Sequence, residues 1–437
     1  MATLLENYKK RLNISESVYA KAHNGENMSK EMKLATAVCL DNVNRFMTEA
    51  FENSQGTQRS AMGDFKRFTL NLTTVALPNL IAQDLVIVYP MSSITGYFTY
   101  IQYVAGSNKG ETAKGDVFND PFRLGKVDVN YTAQNVVEAN TATAKADVVL
   151  AWTPVVADAF DVSGVKYDVK IVAADGTVTY ANLEADGKTV KDVPAGAKVA
   201  YIYDNVVIPQ NDVPVLNAEM KSIPLFAKAR RIAVYYSQLA AFQAKTDYGF
   251  DLGDQLAEKA VGQLEYEIDT EVTNLLIDNA AAGAGMTWSK TLPLGVNKKD
   301  HYEGFNEIVE IGKKIIYDKT KRFVPNYMLA ASDILPVLSF INGWNAAPAS
   351  QINGPYFAGT LNGIKVFVTP NIAAGKFVLG VNGDDAMSSA AVYAPYLPVI
   401  PTQLLQYNDG GTTQGFSTMY DLKVLNADLL VAGEITA

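Results

Sequence analysis

The stretch Met220-Lys221-Ser222-Ile223-Pro224-Leu225-Phe226-Ala227 is followed by Lys228-Ala229-Arg230-Arg231-Ile232-Ala233-Val234-Tyr235-Tyr236 and by Ser237-Gln238-Leu239-Ala240-Ala241-Phe242-Gln243. A break comes at Thr246-Asp247-Tyr248-Gly249-Phe250-Asp251, and from Leu252 to about Ala280 the pattern turns helical. Leu252, Leu256, Ala260, Leu264, Ile268, Val272 and Leu275 recur every four residues, with one shorter step, so they share one face. Asp254, Glu258, Lys259, Glu265, Glu267, Asp269 and Glu271 fill the other face. Asp251 stands where an N-cap carboxylate accepts from orphan backbone N–H groups. Gly283 and Gly285 are placed to stop the helix. At about 1.5 Å per residue it runs about 43 Å, well beyond the average of about three turns. Such a helix suits a spine on which other elements are laid, with Leu256, Leu264, Ile268 and Val272 as its expected core.

The chain has 437 residues, more than one hydrophobic core fills, so at least two structural units are expected. Hydrophobic residues make up 48% and charged residues 19%, the balance of an ordered globular chain. The net charge of −9 argues against a basic nucleic-acid binder, though not against DNA as a neighbour. Cys39 is the one cysteine, so an intrachain disulfide and a Cys-rich metal site are excluded, and a small buried apolar role is expected. The N-terminus has no apolar signal core and no stretch is apolar enough for a membrane span, which makes a cytoplasm the expected compartment.

Residues 1 to 65 read as a polar arm, with Lys9, Lys10 and Arg11 together, plus a helix that Ser29 caps. Leu34, Val38, Cys39, Val43, Met47 and Phe51 can share the buried side of that helix. Pro78 disfavours helix for the residues before it, and Leu85 to Tyr89 reads as a buried strand closed by Pro90. Tyr97 to Val104 alternates as a half-buried aromatic strand. Gly106-Ser107-Asn108-Lys109-Gly110 makes a flexible tip, and Lys126 to Tyr131 is the expected return strand of an extended hairpin. From about Ala142 to Asp212 short Val-, Thr- and Tyr-rich runs are separated by Asp175-Gly176, Asp186-Gly187 and Pro194-Ala195-Gly196. This reads as a small β-sandwich, of immunoglobulin-like type in one reading, inserted before the pattern resumes at Met220. Trp288 to His301 reads as a loop, and Tyr302 to Asp318 as a helix with Phe305, Ile308, Ile311 and Ile315 on one side. Tyr327-Met328-Leu329-Ala330 reads as a strand, with a further helix starting at Ser332-Asp333.

The run from Ile223 to Gln243, the break, and Glu267-Ile268-Asp269-Thr270-Glu271-Val272 resemble the spine region of tailed-phage major capsid proteins. The resemblance is to the T-even type of major head protein, which has the Hong Kong 97 capsid fold. Pro78, Leu80-Ile81, Asp84-Leu85-Val86, Pro90-Met91 and Gly96 are similar to that family's run ahead of an aromatic strand. So are Lys319-Thr320-Lys321-Arg322, Gly359-Thr360-Leu361-Asn362-Gly363 with Ile364 to Val368, and Val392-Tyr393-Ala394-Pro395-Tyr396-Leu397-Pro398. The resemblance covers most of residues 30 to 137 and 220 to 437 but not the insertion. It implies an α+β chain of Hong Kong 97 type, with a long spine helix, peripheral and axial domains, an extended loop and an inserted small all-β domain. The expected division is 1–65 arm and helix, 66–95 peripheral, 96–136 extended loop and 137–215 insertion. After these come 216–282 peripheral with the spine, 283–400 axial and 401–437 return strands.

What the resemblance implies for function is a major capsid protein of a tailed double-stranded DNA bacteriophage. Copies would form hexamers, and pentamers at vertices, of an icosahedral head enclosing the genome. Lys9, Lys10, Arg11, Tyr97, Tyr100, Tyr103, Lys109, Lys114, Lys228, Arg230 and Arg231 are the expected inter-subunit residues. Implied partners are portal, scaffold, maturation protease, decoration and vertex proteins, with packaged DNA held without sequence-specific contact and no membrane. Leu4-Leu5-Glu6 and Ile14-Ser15-Glu16 have the shape of the family's maturation sites, and the expectation is an uncleaved arm that grips a neighbour. A paralogous vertex protein and a cellular protein cage of the same fold are the alternatives. An enzyme with an accessory β-domain is a third class.

The residues offer little chemistry to that third class. His23 and His301 are the only histidines, and neither lies in a ligand-like cluster. Gly110-Glu111-Thr112-Ala113-Lys114-Gly115-Asp116 has phosphate-loop glycine spacing, but Asp116 occupies the lysine position. Carboxylates on the spine helix suit a solvated or subunit-facing side. Lys228, Arg230 and Arg231 suit ion pairing with an acidic neighbour. No catalytic residue, metal ligand or cofactor is expected.

Overall fold

In the computed structural model Asp251 caps a 27-residue helix, Leu252–Asp278, and its carboxylate accepts from the N–H groups of Gly253 and Asp254. The structure describes residues 2–22, 25–52, 59–110, 112–118, 131–152, 154, 159–203, 214–320, 322–347, 354–383, 388–402, 405–408 and 410–436. Side chains are described for these except at 2–3, 22, 50–52 and 59–68. The helix stops at Asn279, whose side-chain amide donates to the Leu275 carbonyl at 2.8 Å. Gly283 and Gly285, expected to end it, lie in the strand that follows.

Ten α-helices occur among the described residues. They are α1 (Ala2–Asn7), α2 (Lys9–Ala22), α3 (Lys30–Glu52), α4 (Arg59–Asn79) and α5 (Ala82–Leu85). After them come α6 (Gln238–Gln243), α7 (Leu252–Asp278), α8 (Lys298–Glu303), α9 (Phe305–Thr320) and α10 (Leu335–Leu338). The chain divides into two units, Met1–Phe98 with Ser222–Ala437, and Thr99–Lys221.

In the first unit one sheet runs β1 (Ile87–Val88), β19 (Ala391–Pro401), β21 (Gly411–Val424), β12 (Lys228–Ser237), with β20 (Leu405–Gln406) also on β21. Its β12–β21 ladder pairs Lys228 with Tyr420 through to Ser237 with Gly411. A seven-stranded sheet runs β13 (Ala281–Ser289), β22 (Leu430–Thr436), β18 (Lys376–Gly380), β14 (Tyr327–Ala330), β17 (Ile364–Val368), β16 (Tyr356–Leu361), β15 (Trp344–Ala346). All four residues of β14 are buried, as expected for a central strand whose two faces are both covered. At Gly312 of α9 an added Cβ would lie 2.3 Å from Leu379 Cδ1, so the glycine permits this helix to approach β18 closely.

The segment read from sequence as a polar arm is helical. In α2 the buried positions Leu12, Ser15 and Tyr19 recur at helical spacing, but one of the three is a serine, so the apolar signal is short. Ser29 caps α3 as expected, accepting from the Met32 N–H at 3.1 Å. Helix α4 continues through Pro78 to Asn79, against the expectation of a break. Proline has no N–H for the carbonyl four residues back, Thr74 O. The buried Ser15 hydroxyl donates to that oxygen at 2.9 Å instead, and the Gln83 side chain donates to Leu77 O at 2.8 Å. The strand expected from Leu85 to Tyr89 shrinks to β1, because Ala82–Leu85 completes a helical turn first.

Strands β2 (Thr95–Ala105) and β11 (Leu216–Phe226) form a two-stranded ribbon. The expected partner of β2, Lys126 to Tyr131, lies outside the described residues except for Tyr131, and among the described residues β11 takes that place. The second unit holds a sheet of β3 (Asn135–Ala139), β10 (Lys198–Ile202), β7 (Val169–Val172) and β8 (Val178–Ala181). Two pairs accompany it, β4 (Ala146–Val149) with β9 (Thr189–Val193) and β5 (Phe160–Val162) with β6 (Val165–Tyr167). Val136, Leu150, Trp152, Val169, Val190, Val199 and Tyr201 pack as its core.

Replacing Ser15 with alanine leaves the Thr74 carbonyl buried without its side-chain donor. We expect a loss of about 1–3 kcal/mol, read as a lower denaturant midpoint with an unchanged slope. Threonine, which keeps the hydroxyl, should recover part of it. Wild-type stability in Ser15→Ala would mean that Pro78 is accommodated some other way.

Candidate assembly surfaces

Helix α7 uses its two halves differently. Ala257, Ala260, Val261 and Leu264 pack with Ala76, Val399 and Phe416. Ile268, Val272 and Leu276 enter the larger core with Cys39, Leu80, Phe305 and Tyr393. Leu264, Ile268 and Val272 are thus buried, whereas Leu256 is only half-buried and Ala257 takes the inward place. The wider side of a real helix, not a line of every fourth residue, decides which of two neighbours faces in. Likewise Asp269, assigned to the solvated face, is buried and accepts from the Ala82 N–H at 3.1 Å, at the start of α5.

Arg230 reaches from β12 to two further carboxylates of α7. Its guanidinium pairs with Glu267 at 3.2 Å and Glu271 at 2.5 Å, and the Tyr420 hydroxyl donates to the same Glu271 oxygen at 2.5 Å. Burial, then that carboxylate, push the Tyr420 hydroxyl up. The acidic partner expected on a neighbouring subunit is therefore present within this chain for Arg230. Lys228 and Arg231 on the same strand are exposed.

Lys9 and Lys10 are exposed, while Arg11 is half-buried and donates to Asn71 Oδ1 of α4 at 2.8 Å. The N-terminal helices lie on their own chain at further points: Tyr8 donates to Asp41 at 3.2 Å and Tyr19 to Asp84 at 3.0 Å. Asp84 also faces Lys365 of β17 at 3.4 Å, and Lys365 holds Glu26 at 2.5 Å.

Tyr97 and Tyr103 are exposed on one face of β2, with Tyr100 half-buried. Lys114 is exposed in the turn that follows. Lys109 is a correction, because only 2% of it is accessible. Its ammonium donates to the carbonyls of Tyr131, at 2.7 Å, and Ala133, and lies over the rings of Tyr203, 4.8 Å away, and Trp152, 5.8 Å away. The glycines around it gave the look of a mobile tip, but the cation is enclosed by ring faces and carbonyl dipoles. It is a packing residue of the second unit.

His23 lies outside the described residues. His301 stacks on Trp288, with ring centroids 4.9 Å apart, and its Nε2 lies 2.9 Å from the Ser289 carbonyl. Cys39 is fully buried, which pushes its thiol up to about 12. Among the described residues no group of three His, Cys, Asp or Glu is arranged to hold a metal ion. No helix there is long and apolar enough to cross a membrane.

Two predictions come from these buried charges. Lys109→Met keeps the volume but strips two carbonyls of their donor, and should cost about 2 kcal/mol, measured by Trp152-sensitive fluorescence unfolding. A midpoint equal to the parent's would mean the ammonium contributes nothing net. Glu265 of α7 is half-buried, and burial followed by Asp269 one turn on raises its carboxyl to about 8. A raised carboxyl pKa favours the folded state while protonated, and that advantage is lost as pH rises from about 4.5 through about 8. Glu265→Gln should match the parent near pH 4 and exceed it above pH 8 by about 1–3 kcal/mol, after allowing for the solvent that reaches the site. An equal offset at both pH values would show that Glu265 does not titrate in this window.

Residues 62–433 match the family model described as Major capsid protein Gp23. The chain is 23% identical over 408 residues to the major capsid protein of Vibrio phage KVP40, covering 85% of this chain and 78% of that one. It is 23% identical over 393 residues to the major capsid protein of Enterobacteria phage T4, covering 80% and 73%. Among solved structures, a chain of Microbacterium phage Oxtober96 overlays with a TM-score of 0.38 at 13% identity, covering 82% of this chain and 90% of that chain. The arrangement around one long helix mixes helices with two main sheets, an α+β chain. With the family model spanning most of its length, the chain belongs to the major capsid protein Gp23 family, the shell proteins of T4-like tailed phages.

Proposed function

We propose that copies of this chain assemble into hexamers, and pentamers at the vertices, of an icosahedral head that encloses packaged double-stranded DNA. The observation that carries this beyond family membership is the β2–β11 ribbon. A two-stranded ribbon is marginal in water by itself, yet β2 turns Tyr97, Ile101 and Tyr103 outward. A neighbouring subunit would cover that face, with the second unit presented on the shell's exterior. The role is structural, and portal, scaffold, maturation protease and decoration proteins are the partners it would meet during assembly in the host cytoplasm. DNA would be held inside without sequence-specific contact, in keeping with a net charge of −9.

The N-terminal helices are proposed to stay on the chain and serve their own subunit. Ile14-Ser15-Glu16 sits inside α2 with Ser15 buried, where a protease that requires an extended segment has no access. Intact mass from mature particles should therefore retain residues 1–16; a chain starting at residue 7 or 17 overturns this.

Electron microscopy of the purified protein tests the main reading. Capsomers or closed shells are expected, and a monodisperse monomer under all assembly conditions would reject it. Copy number per particle separates the major shell protein from a vertex paralogue, and packaged DNA separates a phage head from a protein cage.

A further inference from the structure

The sheet β3–β10–β7–β8 of the second unit ends at β8, Val178-Thr179-Tyr180-Ala181. Strand β8 runs antiparallel to β7, with Val172 opposite Val178 and Val169 opposite Ala181. The Ala173 N–H donates to Thr177 O at 2.9 Å, so Ala173 and Thr177 form a hydrogen-bonded pair. Such pairs alternate with unbonded ones along an antiparallel ladder. Thr179 and Ala181 therefore bond to β7, and the N–H and C=O groups of Val178 and Tyr180 point away from it. Among the described residues no strand lies beyond them, and Val178 is 43% exposed. Exposed edges are ordinarily blunted by a charge, a proline or a bulge. The edge strand β12 carries Lys228, Arg230 and Arg231, β3 carries Glu138, and β13 is bulged between Ala282 and Thr287. Strand β8 has no charge and no proline, and its register with β7 is unbroken.

Tyr180 is half-buried beside two other rings, with centroids 5.6 Å away at Tyr167 and 6.2 Å away at Phe160. A strand added to β8 would lay a side chain against that cluster, where cross-strand pairing with aromatics favours an apolar residue. Both ends of β8 are acidic. Asp175 lies in the turn before it, and Glu184 and Asp186 in the turn after it, all three exposed. Lys191 pairs with Glu184 at 3.1 Å. Asp175 instead accepts from the Thr177 N–H, and Asp186 from those of Lys188 and Thr189, bonds that favour the ionised carboxylate. A second copy paired antiparallel about Thr179 would set Asp175 opposite the other copy's Leu183 and beside its Glu184, and like charges across a ladder are destabilising. We propose that the β8 edge takes an extended segment of a different protein, with an apolar residue over Tyr180 and basic residues at both ends. Backbone bonds would supply the affinity, and the rings and carboxylates the choice of partner. Assembly of a head neither requires nor excludes this contact, so its failure and that of the shell reading are separate results.

The test uses the full chain and two synthetic peptides that alternate threonine and valine, one between terminal lysines and one between terminal glutamates. Amide exchange read residue by residue should show Val178 and Tyr180 exchanging faster than Thr179. The lysine peptide should slow both and leave Thr179 unchanged. It should also bind about tenfold more tightly than the glutamate peptide at low salt. No binding by either peptide, equal binding by both, or protection that spares Val178 and Tyr180 overturns the proposal. Protection of these two amides that grows with chain concentration and needs no peptide overturns it in favour of a second copy. Val178→Pro removes an outward N–H and no ladder bond, a change that edge strands tolerate. The thermal midpoint should hold, and peptide binding should fall about tenfold or more. A lowered midpoint would mean that this amide faces β7, which overturns the assignment of the edge. Val178→Lys keeps the backbone and should weaken the lysine peptide by repulsion while sparing the midpoint. Parent-level binding in both variants overturns the proposal as well.

Discussion

From Ala257 to Leu264, α7 buries its apolar side with Ala76, Val399 and Phe416; from Ile268 to Leu276 it buries the same side in the cluster that reaches the seven-stranded sheet. The helix therefore spans two cores, and its rotation about its own axis must satisfy both. Polar contacts help set that rotation. Asp269 is committed to the Ala82 N–H, and Glu267 and Glu271 to Arg230 across the β12–β21 ladder. A turn of the helix that improved one side would strip a buried carboxylate of its partner on the other, a loss of several kcal/mol. The acidic side of α7 is thus part of the internal structure along much of its length.

The N-terminal helices follow the same logic at smaller scale. Ser15 makes Pro78 tolerable in α4 by supplying the donor that proline lacks. Asn42 donates to the carbonyls of Met91 and Tyr396, and so ties α3 to the loop before β2 and to the edge of β19. Residues 1–61 lie outside the family match, yet Cys39, Leu40, Val43 and Met47 are almost wholly buried against it. Energetically they are core, whatever their pedigree.

Function in such a protein resides in what the subunit leaves uncovered. Strand β2 turns Tyr97, Ile101 and Tyr103 outward and carries no charged residue, whereas Lys109, Arg230 and Arg11 are already engaged at home. That division runs against the usual expectation that cations make the assembly contacts. It is consistent with desolvation, since a charge that leaves water must bring a partner, and an apolar face gains simply by meeting another.

The residues alone determined a good deal. The period of α7, its Asp251 cap, the alternation of β2 and the strands of the second unit were legible because periodicity and capping are local and survive in any context, while the shell-protein reading came from resemblance in the spine run and in the motifs around Pro78 and Lys319-Thr320. Only the tertiary structure decided the rest. Whether Leu256 or Ala257 faces inward, and that Asp269 is buried, depends on which elements lie across from α7. That Ser15 of α2 is buried makes sense only beside Thr74, 59 residues on, whose carbonyl accepts from it. The partner of β2 comes more than a hundred residues later in the chain. Lys109 looked like a surface lysine in a glycine-rich turn because nothing nearby announces Trp152 and Tyr203. Burial and pairing are relations between distant segments, and a sequence read locally holds only one side of each.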